Sequence, residues 1–199
     1  MTTETKITAR TRAILTAREW VADNPLFLDT ETTGLRGDAE ICDIAVVDMS
    51  GNVILNTLVN PTRPIPQEAS DIHHITDEMV VYAPGFGDVW PFLNFLINHT
   101  GRPVITYSAA FDMRLIYQSA KAADCVIITP PARCAMELYA EFYGEWDDYH
   151  GNYRYQKLIN AAADCGIVFK ASSAHRALAD AQAAREIVLY MAIQKLEGE

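Results

Sequence analysis

Apolar residues recur at steps of three and four over Thr8 to Ala22, at Ala13, Ile14, Ala17, Trp20 and Val21. That spacing predicts an amphipathic helix, ended by Asn24-Pro25. The pattern then changes. Leu26-Phe27-Leu28 is a short continuous apolar run, the mark of a buried strand. Ile41 to Asp48 and Val53 to Val59 flank Ser50-Gly51-Asn52, a hairpin signal, and with the Leu26 strand they predict an antiparallel meander. Pro61-Thr62-Arg63-Pro64-Ile65-Pro66 reads as a stiff loop. Helical spacing returns from Phe86 to Asn98. Val104 to Tyr107 predicts another buried strand, followed by a helix from about Met113 to Ala122. Val126-Ile127-Ile128 predicts a short fifth strand, stopped by Pro130-Pro131, with a helix after it to Tyr143. A last helix carries apolar residues at Leu178, Ala181, Ala184, Val188 and Met191. Three antiparallel strands, then strands alternating with helices, predict an α/β fold: a mixed five-stranded sheet, three strands antiparallel and two parallel, flanked by helices. Residues 1–24 read as an added N-terminal helical extension and 25–199 as one domain.

The candidate chemistry sits where these strands end and helices start. Asp29 and Glu31 close the Leu26 strand, two residues apart and hence on one side of an extended chain. Two like charges held together in an apolar setting call for a cation, and hard oxygen ligands suit Mg²⁺ or Mn²⁺. Asp112 follows the Val104 strand at a helix start. His175 and Asp180 open the last helix, five residues apart. On one continuous helix they would point about 140° apart at 100° per residue. The expectation is therefore Asp180 on the helix and His175 in the loop or first turn before it, free to swing over the site.

These residues resemble the DEDDh exonucleases, the group containing the proofreading epsilon subunit of bacterial DNA polymerase III, exonuclease X and RNase T. Asp29 and Glu31, with Thr32-Thr33-Gly34 after them, are similar to the first motif of that group. Asp112 in Ala109-Ala110-Phe111-Asp112 is similar to the second, and His175 with Asp180 to the third. Ile72-His73-His74-Ile75 is similar to a further segment, and the likeness runs from about Leu26 to Met191. One departure is Ser108, where many relatives have Asn. The resemblance implies an RNase H-like fold and a 3′→5′ exonuclease releasing nucleoside monophosphates. It implies that Asp29, Glu31, Asp112 and Asp180 hold two divalent ions, Mg²⁺ or Mn²⁺, and that His175 is the general base. Thr32, Thr33 and Leu35 would line the pocket of the terminal nucleotide, and His73 would contact phosphate or sugar or serve the fold. Single-stranded DNA 3′ ends are the expected substrate. An RNA-trimming enzyme with the same site, a proofreading subunit, and a non-catalytic 3′-end binding module are the alternatives.

Composition adjusts this picture in three places. The chain has 199 residues, enough for one well-buried domain and few for two. The net charge of −10 argues against broad phosphate contact and for a short grip on terminal nucleotides. The locally basic stretch from Lys6 to Arg18 reads as the solvated face of a packed helix, with DNA contact as the other reading. Cys42, Cys125, Cys134 and Cys165 form no Cys-x-x-Cys pair, so zinc is not expected. No membrane-spanning run or secretion signal stands out, and the expected compartment is the cytoplasm. The chain stops at Glu199 without a long tail for holding a polymerase, so a stand-alone nuclease is expected; homodimerisation and polymerase association are left open. The aromatic-rich Gly144 to Tyr155 segment reads either as a rim that stacks on unpaired bases or as a surface connection.

Overall fold

The computed structural model describes residues 8–128, 130–168 and 175–196. Helix α1 (Ala9–Ala22) leads into strand β1 (Leu26–Thr32), and β2 (Ile41–Asp48) and β3 (Val53–Leu58) complete an antiparallel meander. Two short helices, α2 (Gln67–His73) and α3 (Asp77–Val80), fill the long connection to α4 (Phe86–Asn98). Strand β4 (Val104–Thr106) runs parallel to β1 and feeds α5 (Ala109–Ala122). Strand β5 (Arg133–Cys134) runs parallel to β4 and feeds α6 (Ala135–Tyr143). A hairpin of β6 (Trp146–Asp147) and β7 (Asn152–Tyr153), then α7 (Leu158–Asp164) and α8 (Ala177–Ala192), complete the described elements. The sheet order is β3-β2-β1-β4-β5, the expected mixed five-stranded arrangement.

Helices cover both sides of this sheet because β1 and β2 are apolar on both faces. Phe27 and Val47 join a cluster with α1, α6 and α8, while Leu26, Leu28, Ile44 and Val46 join one with α4 and α5. Helix α8 lies across β1 and β2 and against α1. Its buried stripe is rich in alanine, including Ala177, Ala181 and Ala184, and Ala13 and Ala17 of α1 are fully buried in the same cluster. Small side chains let these helix backbones come close. Ile14 of α1 is also fully buried, so truncating it to Ala would cost about 2–5 kcal/mol.

The fifth strand differs from the sequence expectation. It is Arg133–Cys134, beyond the prolines, and Val126 and Ile128 are exposed. Apolar character alone cannot say which residues reach the edge of β4. The 125–128 stretch instead lies over α4, where Trp90 Nε1 donates to the Val126 carbonyl at 3.1 Å and Asn98 Nδ2 to the Ile128 carbonyl at 2.7 Å. Those side chains replace a ladder partner.

The basic residues of α1 are engaged within the protein. Arg10 lies over the Phe142 ring and donates to the Phe142 carbonyl, and Arg12 pairs with Glu141. Arg18 donates to the carbonyls of Ala192 and Gln194 at 3.0 and 2.8 Å, satisfying groups at the end of α8 that have no helical partner. The 144–155 segment is an organised hairpin. Trp146 meets Tyr153 edge-on at 5.1 Å, and Asp147 takes the backbone N–H groups of Tyr149 and His150 and a bond from the His150 ring.

Candidate active site

Strand β1 sets the site by alternation. Asp29 and Glu31 face the side covered by α8, and Thr30 between them faces α5. A register shift in β2 follows Glu31: Glu31 pairs with Asp43 but Thr32 pairs with Ile41, leaving Cys42 as the extra residue. The chain then leaves the sheet at Thr33. Its N–H donates to the Glu40 carbonyl at 2.8 Å, and the Glu40 N–H donates to the Thr33 hydroxyl at 3.0 Å. That pair of hydrogen bonds closes the base of a loop whose tip, Leu35, is 76% exposed.

Asp180 comes from the first turn of α8, and Arg176 is the residue that caps this helix. His175 precedes it, exposed and in a left-handed conformation with φ +60°. Asp180 accepts the backbone N–H of His175. One oxygen each from Asp29, Glu31 and Asp180 lie within 4.8 Å of one another. Among the described residues, this is the group able to hold a metal ion, and its all-carboxylate donor set fits a hard divalent cation. Asp112, in the first turn of α5, is 2% exposed. It stands outside that trio, and the Thr30 hydroxyl donates to its Oδ1 at 2.8 Å.

The cluster is electrostatically unfavourable without a cation. Burial, then the charges of Asp112, Asp180, Glu31 and Asp43, hold the Asp29 carboxyl well above the ordinary carboxylate range. Burial and then Asp180 push Glu31 up to about 8. Burial raises Asp112 against the Thr30 hydrogen bond, and burial raises Asp180 to about 6 against the nearby His175. Groups held this far from their ordinary range mark sites that bind charge or perform chemistry.

Beside the cluster opens a cleft of about 570 Å³, lined in part by Glu31, Thr32, Thr33, Leu35, Ile72 and Phe111. Glu31 is common to the cleft and the acidic group. His73 borders the cleft too, but its ring is 2% exposed. Nδ1 accepts the Ile75 N–H at 3.1 Å, so Nε2 carries the proton and donates to the Thr32 carbonyl at 3.1 Å. Both ring nitrogens are committed to the protein, and the ring braces the Thr32–Thr33 turn from behind. Ser108 caps α5 without a side-chain bond to it.

A family model described as exonuclease matches residues 26–188. The chain belongs to this exonuclease family. It is therefore a nuclease of the phosphodiester-hydrolase type, and its fold is that of the RNase H-like exonucleases. An uncharacterised exonuclease, CP81, of Escherichia phage 186 is 46% identical over 170 residues, covering 82% of this chain and 86% of the relative. The DNA polymerase III epsilon subunit of Treponema pallidum is 31% identical over 167 residues, 82% of this chain and 74% of that protein. Among solved structures, exonuclease X in complex with 5′ overhanging duplex DNA has 26% identity and a TM-score of 0.59, covering 86% of this exonuclease and 95% of that chain. The family match begins at Leu26, so α1 lies outside it.

Two residues of the site carry no motif signal: Asp43 and Arg176. Asp43 is 1% exposed on β2, and Arg176 Nε donates to its Oδ2 at 2.9 Å. A signal was there to find. Asp43 is the lone charge in Ile41-Cys42-Asp43-Ile44-Ala45-Val46-Val47, and a charge in an otherwise apolar strand needs a partner.

Proposed function

We propose that this exonuclease shortens nucleic acid from the 3′ end, one nucleotide at a time, with single-stranded DNA as its substrate. The carrying observation is that three carboxylate oxygens from β1 and α8 lie within 4.8 Å of one another beside a cleft that shares Glu31 with them. Asp29, Glu31 and Asp180 would hold one divalent ion, and Asp112, whose charge is the strongest neighbouring influence on Asp29, would complete a second position with it. Bound Mg²⁺ or Mn²⁺ would supply the positive charge that offsets the scissile phosphate and makes a bound water more acidic. His175, exposed beside Asp180, takes the proton from the attacking water. Such a general base is worth about 10²–10⁴ in rate. The water oxygen bonds to phosphorus, the bond to the 3′ oxygen of the preceding nucleotide breaks, and that oxygen leaves with a proton.

The cleft supports the polarity. Thr32 and Thr33, whose hydroxyls bond Gly34 and Glu40, would shape the wall of a pocket for the terminal sugar, and exposed Leu35 and Ile72 with Phe111 offer apolar surface for a base. His73 serves by fixing the Thr32 carbonyl. The net charge of −10, with Arg10 and Arg18 of α1 bonded to backbone carbonyls and Arg12 paired with Glu141, favours a short grip and unpaired ends. A second reading, digestion of recessed duplex ends, is favoured by the duplex bound to exonuclease X. The test is a gel of end-labelled single-stranded DNA, single-stranded RNA and 5′-overhanging duplex, with Mg²⁺, Mn²⁺ or EDTA. Metal-dependent ladders from the 3′ end, fastest on single-stranded DNA, are expected. Full activity in EDTA would refute the metal reading, and faster digestion of RNA or of the duplex would reassign the substrate.

A further inference from the structure

Arg176 follows His175 directly, and its side chain leaves its own helix. As the residue that caps α8 it makes no side-chain bond to that helix. It reaches across to β2, where its Nε meets Asp43 Oδ2 at 2.9 Å. Asp43 is buried, and its other oxygen has no hydrogen-bond partner among the described residues. A buried carboxylate with one such partner depends on it heavily. Meanwhile His175 holds a left-handed backbone, φ +60°, uncommon for a residue with a side chain although histidine tolerates it better than most. Among the described residues, Asp180 accepts its backbone N–H, and the next residue, Arg176, ties this turn to β2.

We infer that the Arg176–Asp43 pair is a latch that holds the His175 turn over the carboxylate cluster, which makes both members positioning residues for the proton transfer. The inference rests on the reading of His175 as general base. It explains why a charge lies buried in β2 one strand away from the carboxylates. Asp43 pairs in register with Glu31, so the latch ties the start of α8 to the strand position opposite a cluster carboxylate. A fork-shaped guanidinium suits this task, because it fixes direction as well as distance.

The test compares Arg176→Gln and Asp43→Asn, each in the wild-type and the His175→Ala background, on an end-labelled oligonucleotide with saturating Mn²⁺. Asp43→Asn leaves no buried charge and serves where Arg176→Gln melts early. In the wild-type background each change should lower kcat at least about tenfold, with KM nearly unmoved, because orientation of the base is lost. In the His175→Ala background the same changes should do almost nothing, since the group they position is gone. Equal losses in both backgrounds, or wild-type rates for both single variants, would overturn the latch. A His175→Ala protein at the wild-type rate would instead overturn the base assignment beneath it. The double variant Asp43→Asn with Arg176→Gln should lose no more rate than the worse single variant, because either change undoes the same latch, and additive losses would overturn it.

Discussion

Replacing Glu31 by Gln should abolish activity and yet stabilise the metal-free protein above neutral pH. Glu31 titrates at about 8 in the folded protein against 4.5 ordinarily, through burial first and the charges of Asp180, Asp43 and Asp112 after it. Below pH 4.5 the group is protonated in both folded and unfolded chains and exerts no pH effect. Between 4.5 and about 8 the unfolded chain ionises first, so stability falls as pH rises through that window, and the slope ends above it. At about 1.4 kcal/mol per pH unit the full difference approaches 5 kcal/mol, and water reaching a partly exposed carboxyl reduces it to about 3 kcal/mol. For a chain of this size that is about 6–12 °C in melting temperature. Gln keeps the shape and removes the titration. Melting curves in EDTA at pH 5 and pH 8 should therefore coincide for the two proteins at pH 5 and separate at pH 8, with Glu31→Gln higher. Mn²⁺ at a hundred times its dissociation constant should return about 2.7 kcal/mol to the wild type and much less to the variant. If the two proteins track each other from pH 5 to pH 8, or the wild type gains stability over that range in EDTA, the account of a compact, mutually repelling cluster is wrong.

Three more outcomes are expected. His175→Ala should keep Mn²⁺ affinity by calorimetric titration while losing about 10²–10⁴ in rate, and an affinity loss matching that of Asp29→Ala would make His175 a ligand. Oligonucleotides ending in a 3′-phosphate should resist digestion and 5′-blocked ones should not; cleavage of closed single-stranded circles would show an endonuclease. Arg10→Ala and Arg12→Ala should leave the salt dependence of DNA binding unchanged, because both side chains are spent on Phe142 and Glu141, whereas a slope lowered by about one ion per substitution would make α1 a DNA contact.

Much of the sheet was legible because β1 and β2 carry their burial in plain apolar runs, and because Gly51 turns the hairpin with a positive φ that its neighbours would resist. Strand β5 was not legible. Two residues pair with β4, one of them charged, and their place is decided by where the chain arrives after the prolines rather than by their own chemistry. In the site, the clustering of Asp29, Glu31 and Asp180 follows from strand alternation and a helix start. The role of His73 could not be read, because a histidine next to a cleft looks the same in sequence whether its nitrogens face outward or bond Thr32 and Ile75. Asp43 was visible as an oddity, but its partner Arg176 is 133 residues away and only the fold brings them together.

The docking of α8 on β1 and β2 has a consequence for how the chain comes to be active. Asp29 and Glu31 lie near the start of the matched region 26–188 and Asp180 near its end. No local segment holds enough of the cluster to grip a cation. Contacts so distant in sequence close late, after the loops between them have lost their freedom. If the cluster holds the metal as proposed, a growing or half-folded chain would carry inert carboxylates, and cutting power would wait until the last helix settles onto the first strands. Folding itself would then be the safety catch on this nuclease.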